Sequence, residues 1–395
     1  MKNKKYFLIS VLFIFTVILI FTACAGSQKV EYDRANIMEL PPMKDQFKDH
    51  FMIGAIFHNG TSQRQGSFPS DVPSGAAAVT NERLTRHFNV LTPENELKPV
   101  SISTGRDPAT GVISYNWATA DRMVNAALAS GFKVVGHTLL WHSQIPDWQK
   151  GMANQPKETA LAVMRQYITD VAGRYAGKIY SWDVINEVVP DNSSGGNWRT
   201  GLRNENPWYK AIGADFVYES FLAARRADPH AILYYNDYNL NMPGKANTVR
   251  NMVRDVNERF IREQGGTRLL IEGIGMQGHY NIEVSTGSVR RSIDLFRQLG
   301  VKISITELDI LSQTWGEHSR GEAPSNGGKM AAAALYGSLF NLFLDNADII
   351  ERVTFWGVFD EQSWRNRGLP LPFEGFPETM AKPAYYRIVA SLEGR

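Results

Sequence analysis

The chain has 395 residues, 43% of them hydrophobic, which is enough to bury a large core. Its 42 basic and 40 acidic residues leave a formal charge of +2, and no basic run marks a nucleic-acid groove, so a nucleic-acid partner is not expected. The only cysteine, Cys24, excludes an intrachain disulfide.

The chain opens with Lys2, Lys4 and Lys5, then an apolar run from Tyr6 to Ile20, then Phe21, Thr22, Ala23 and Cys24. This is the layout of a secretory signal with small residues before the cut. The small pair before a cysteine resembles a lipobox, although Phe21 stands where leucine is usual. Residues 1–23 are therefore read as a lipoprotein-type signal peptide and Cys24 as the lipidated residue. An ordinary signal peptide or an uncleaved anchor are the alternatives. Every one of these readings exports the protein. The expected location is the cell envelope, as a lipoprotein of the outer membrane or facing the periplasm, or otherwise secretion. Residues 24–44 read as a polar tether and 45–395 as one folded domain.

Within that domain a short apolar run is followed, again and again, by a stretch of helical period. The predicted strands are Met52–Ile56, Phe88–Leu91, Lys133–Thr138, Trp182–Asn186, Ile232–Asn236, Ile271–Gln277, Lys302–Glu307 and Val353–Trp356. The predicted helices between them are Ala118–Leu128, Thr159–Tyr175, Trp208–Arg226, Lys245–Gln264, Ser288–Leu299 and Lys329–Asn346. Gly131 and Gly300 fall where helix-ending glycines belong. Strands alternating with helices imply a parallel sheet, and eight strands suffice to close a (β/α)8 TIM barrel. An open doubly wound sheet is the rival, but Gly54–Ala55–Ile56–Phe57–His58–Asn59 lacks its phosphate-binding glycines.

In such a barrel the functional rim lies at the C-terminal ends of the strands. The second run leads into Glu94, Asn95, Glu96 and Lys98, and the third into His137, Trp141 and His142. The next three end in Asn186–Glu187, Asn236–Asp237–Tyr238 and Gln277–His279, and the last two in Glu307–Asp309 and Trp356. Seven consecutive strands thus deliver polar or aromatic groups to one end. Taken singly, Glu96 reads equally well as a solvated loop residue, and His142 as a satisfied core histidine. Trp117, Trp148, Trp182 and Trp208 read as packing. Glu187 and Glu307 each terminate an apolar strand, where a carboxylate costs free energy unless it is paired or used. Two carboxyls facing one cleft are the minimum apparatus of glycoside hydrolysis: one gives a proton, and the other stays ionised. A gap of roughly 5–5.5 Å between them is the retaining geometry.

At this point the motifs resemble glycoside hydrolase family 10, the retaining endo-β-1,4-xylanases. The matching segments are Thr92–Lys98, Gly136–Gln144, Trp182–Glu187, Asn236–Asn239, Gln277–His279, Ile305–Asp309 and Val353–Gly357, in the family's order. The resemblance implies that 45–395 is the catalytic domain, with Glu187 as general acid/base and Glu307 as nucleophile. It implies that Asn186 meets the 2-hydroxyl of the attacked sugar, that His279 holds Glu307 with Asp309 behind it, and that Gln277 lies beside Glu187. Glu94, Asn95 and Lys98, with His137 and Trp141, would bind the non-reducing side. Trp356 and Trp364 would wall that side, and Tyr238 would support the leaving-group side. His142 is placed in the supporting layer. The expected substrate is xylan, and no cofactor or metal is expected. The chain is expected to be a monomer that meets a membrane only through its lipid anchor. Two enzymatic rivals are a metal-dependent barrel hydrolase and a β-glycanase acting on short xylo-oligosaccharides, cellulose or mixed-linkage glucan. A non-catalytic glycan-binding surface lipoprotein is the third rival.

Overall fold

The computed structural model describes residues 34–58, 82–375 and 378–395. The expected signal peptide and Cys24 lie outside the described residues. Eight parallel strands form the central sheet: β1 Met52–Phe57, β2 Val90–Pro93, β3 Lys133–Leu140, β4 Ser181–Asn186, β5 Ile232–Asp237, β6 Gly273–Met276, β7 Lys302–Leu311 and β8 Ile350–Phe355. Each pairs with its neighbours in chain order, and β8 returns to β1 with Met52 opposite Arg352 and Ile53 opposite Val353. The sheet is a closed (β/α)8 TIM barrel.

Helices cover the outside: α1 Glu82–His87, α2 Ala118–Ala129, α3 Lys157–Arg174, α4 Asp215–Ala227, α5 Pro243–Gln264, α6 Thr286–Arg297, α7 Asn326–Leu344 and α8 Pro383–Ala390. Their buried faces recur at helical spacing, as in Ala160, Val163, Met164, Tyr167, Ile168 and Val171 of α3. One prediction needs correction. The helix read over Trp208–Arg226 is two helices, Pro207–Ile212 and α4, because Gly213 takes a φ of 81° that ends the first. The tether read over 24–44 is also too long. From Ala35 onward the described chain is held against the barrel by backbone bonds to Thr379 and Ala381, and Ile37, Leu40 and Met43 are buried in the core.

The barrel wall explains Trp182 and Gly136. A Cβ on Gly136 would lie 2.1 Å from the Trp182 ring, so the glycine makes room for this buried indole. Besides one shift at the start of β7, between Ile303 and Ser304, strand irregularities lie along the site-facing parts of the strands. Register shifts fall between His137 and Leu140 on β3, between Asp183 and Ile185 on β4, and between Ile305 and Leu308 on β7. Such bulges re-aim side chains, and here they flank His137 and Glu307.

Candidate active site

A cleft of about 400 Å³ opens at this end of the barrel. It is lined by fourteen side chains, among them Glu187, Glu307, Asn186, Gln277, His279, Trp141 and Trp356. Glu307 projects from β7 and is buried. Its Oε1 accepts from Asn236 Nδ2 at 2.8 Å and its Oε2 faces His279 Nε2 at 3.0 Å. The other ring nitrogen of His279 lies 3.0 Å from Asp309 Oδ2. Asp309 also accepts from Trp364 Nε1 at 3.0 Å and pairs with the buried guanidinium of Arg365. The line Glu307–His279–Asp309–Arg365 therefore alternates in charge from the cleft into the protein.

That alternation decides protonation. Burial alone would raise the Glu307 carboxyl. The hydrogen bond from His279, the nearby His137 and His279 rings and the hydrogen bond from Asn236 overcome it and hold the group below its ordinary value. Burial works against a charged His279, but the Asp309 and Glu307 carboxylates prevail and push it up to about 9. At neutral pH, Glu307 is thus an anion backed by an imidazolium.

Glu187 stands directly after β4, half-buried, with a φ of 56°. Its Oε1 accepts from Gln277 Nε2 at 2.9 Å and its Oε2 from Trp141 Nε1 at 2.9 Å. Both donors are neutral. A carboxyl offers about four lone-pair sites, so these two bonds leave room for a proton on either oxygen. The two glutamates are joined by one unbroken chain of hydrogen bonds. Gln277 also donates to Asn186 Oδ1 at 3.2 Å, and Asn236 donates to the same oxygen at 3.0 Å and to Glu307. The Glu307 carboxylate, which can only accept, fixes which way round the Asn236 amide lies, and the amide oxygen then accepts from Thr306 Oγ1 at 2.6 Å. With its oxygen taken twice, Asn186 has its amide nitrogen left for a ligand.

The other predicted residues are placed as follows. His137 is buried with Nδ1 2.9 Å from Asp183 Oδ2, its ring 5.4 Å from Trp356. Lys98 lines the cleft, 3.1 Å from Asn95 Oδ1 and 3.4 Å from Gln144 Oε1. Tyr238 lines it too, and Trp364 is exposed at its edge. Besides Asp309, which lies behind His279, three predicted residues are not among the lining side chains. Glu94 is buried at the end of β2, and Asn95 reaches the cleft through Lys98. His142 lies behind Trp141, with ring centroids 5.9 Å apart, and burial with the Arg203 charge lowers its pKa.

Several participants were given no role from sequence. Asn236 stands next to last on β5 among the rim residues, so its position was visible, but its duty in orienting Asn186 and Glu307 was not. Arg203 and Arg365 sit in loops and Trp315 opens the short helix Trp315–Ser319, places to which neither long periodicity nor a strand end points. Trp315 is exposed on the cleft edge with the Arg365 guanidinium 4.7 Å from its ring centre.

A (β/α)8 barrel with two glutamates, on β4 and β7, presented to one cleft defines a glycoside hydrolase. Comparison with known proteins makes the assignment particular. The model of "Glycosyl hydrolase family 10" matches residues 43–391. A β-1,4-xylanase of Dictyoglomus thermophilum is 33% identical over 366 residues, covering 92% of this chain and 91% of that protein. Endo-1,4-β-xylanase A of Thermotoga maritima is 34% identical over 92% of this chain, but the match spans only 32% of that longer protein. A solved structure of a GH10 xylanase from termite gut that contains a bacterial Ig-like domain is 49% identical. It superposes with a TM-score of 0.83 over 91% of this chain and 79% of that one. The chain belongs to glycosyl hydrolase family 10.

Proposed function

We propose that this chain is an endo-1,4-β-xylanase that hydrolyses internal bonds of xylan with retention of anomeric configuration. Glu307 attacks the anomeric carbon and forms a covalent glycosyl-enzyme while Glu187 protonates the departing oxygen. Glu187 then takes a proton from the water that releases the sugar. The observation that carries this reading is the unequal footing of the two carboxyls on one hydrogen-bonded chain. Glu307 is held ionised by a cation hydrogen-bonded to its carboxyl, whereas the Glu187 carboxyl oxygens accept from the neutral donors Trp141 and Gln277. Asn186 is oriented to donate to the sugar's 2-hydroxyl, a contact that strengthens in the transition state.

Xylan is supported by the names of the relatives and by Trp356 and Trp364 at the cleft. Bulky rings there leave room for xylose and crowd the hydroxymethyl group that glucose carries. The test is digestion of xylan with early products followed by NMR. A first-formed product with the β configuration is expected, and an α product overturns retention. A higher rate on cellulose than on xylan overturns the substrate.

We also propose that the protein is exported and anchored through a lipid on Cys24, as the basic start, apolar run and Thr22–Ala23–Cys24 support. Labelling with a radioactive fatty acid tests this. Label retained in a Cys24→Ala variant overturns it.

A further inference from the structure

Glu187 holds a left-handed backbone conformation that residues with a side chain adopt rarely. Such a conformation persists only where the surroundings impose it. The Glu187 N–H donates to the Asn236 carbonyl at 2.9 Å, and the Glu187 carbonyl accepts from Arg203 Nε at 2.8 Å. The Arg203 backbone N–H in turn donates to the Val188 carbonyl at 2.9 Å. Arg203 is therefore tied to the Glu187–Val188 segment by both its main chain and its side chain. It is not among the residues that line the cleft.

The far end of the same guanidinium reaches a side chain that lines the cleft beyond the neighbouring strand β5. Arg203 Nη2 donates to the Tyr238 hydroxyl at 2.5 Å. The Tyr238 ring carries Lys245 Nζ 3.7 Å from its centre, and Lys245 is fully buried between Asp237 and Asp191, 2.8 Å from each. Tyr238 is thus a fixed anchor rather than a loose aromatic. Arginine suits the span because its donors lie in one rigid plane and serve two acceptors at a set separation, which a lysine ammonium does not do.

We propose that Arg203 is a positioning residue for the proton donor: by clamping the main chain of Glu187 to the hydroxyl of Tyr238, it aims the Glu187 carboxyl at the leaving-group oxygen. The inference rests on the reading of Glu187 as general acid. Arg203 touches neither sugar nor reacting atoms. It acts through Glu187, so its loss hurts only reactions that need the proton delivered on target. A plain structural staple would instead affect all substrates alike.

The experiment compares kcat/KM for a series of aryl β-xylobiosides, from 2,4-dinitrophenyl to phenyl, and for xylotetraose. It uses the wild type, Arg203→Met, Arg203→Lys and Glu187→Ala. For Arg203→Met, kcat/KM should fall about 10- to 100-fold on phenyl xylobioside and xylotetraose but by less than about threefold on the dinitrophenyl substrate. Arg203→Lys, which keeps charge and stem without the planar fork, should show the same dependence at smaller amplitude. It carries the test if thermal melting finds Arg203→Met unfolded. An equal loss across the series, or no loss, overturns the proposal. The Glu187→Ala control separates the two readings. If that variant depends on the leaving group and the Arg203 variants do not, only the clamp fails. If Glu187→Ala itself shows no such dependence, the general-acid assignment fails and takes the clamp with it.

Discussion

The surroundings of the two cleft glutamates are built on different physical plans. Behind Glu307 the protein stacks charge on charge, with a histidine pushed up to about 9, a buried aspartate and a buried arginine. Around Glu187 it offers an indole N–H, an amide N–H and a constrained main chain. Under the proposed mechanism, the contrast follows from the work each carboxyl does. A nucleophile must stay ionised in a water-poor site, and only compensating charge makes that tolerable. A group that gives up a proton and takes it back is ill served by a cation on its oxygens, because the cation would hold the anion and oppose reprotonation. Neutral donors orient it without fixing its charge.

This contrast can be broken from either side. The largest effect is expected from Glu307→Ala, which removes the attacking group and should lower turnover of xylan by at least roughly 10⁵-fold. Persisting turnover in purified protein would show that another group attacks. Glu187→Ala should cost about 10²- to 10⁴-fold on xylan while sparing aryl xylosides with very good leaving groups. Parallel loss on both kinds of substrate would contradict the assignment.

His279→Gln keeps a hydrogen-bond donor beside Glu307 and removes the charge. Without the cation, burial is less opposed and the Glu307 carboxyl rises, so the acid limb of kcat/KM should move to higher pH. At pH 7 the rate should fall by about 10- to 100-fold. An unmoved limb would mean that the imidazolium does not set the charge of the nucleophile. The same histidine links stability to pH. Its folded pKa of about 9 stands above the ordinary 6.5. Its contribution is therefore fully present below about pH 6.5 and is lost as pH rises through about 9. Denaturant titrations of wild type and His279→Gln should converge across that window.

The smallest effect on catalysis is expected at a charged buttress with no part in the reaction. Lys382 is buried against Asp360 at 2.7 Å and donates to the carbonyls of Leu369 and Leu371. Lys382→Met leaves a buried carboxylate unpaired and should destabilise the fold by about 3–5 kcal/mol, read from chemical denaturation. The pH profile of the folded enzyme should not move. A shifted profile would show that charge behind the β8–α8 loop reaches the reacting groups.

Much of this was legible from local pattern. The eight strands stand within a few residues of where apolar runs placed them, because a parallel strand buried on both faces must be apolar along its length. Glu187 and Glu307 stood out because a carboxylate ending such a run contradicts its surroundings. The break at Gly213 escaped notice because apolar spacing continues across it while only the backbone angle changes. Asn236 was seen as a rim residue but not as the hinge between both carboxyls, since its partners Asn186, Thr306 and Glu307 lie 50, 70 and 71 positions away. Arg203, in a loop, and Trp315, at the start of a five-residue helix, carry no signal of their own and gain meaning from what they touch.

The sequence by itself determined the alternation of strands and helices, the end of the barrel that holds the site and the two carboxyls that stand there. Those follow from hydrophobic period and from the cost of placing charge beside an apolar strand, both of which are local. The family resemblance implied His279 and Asp309 behind Glu307 and Gln277 beside Glu187, but tertiary structure decided the full set of partners, the Arg365 cation and the Trp141 and Asn236 donors included, because they meet only when the barrel closes. Protonation depends on distances between such groups, and the order of residues along a chain does not contain them.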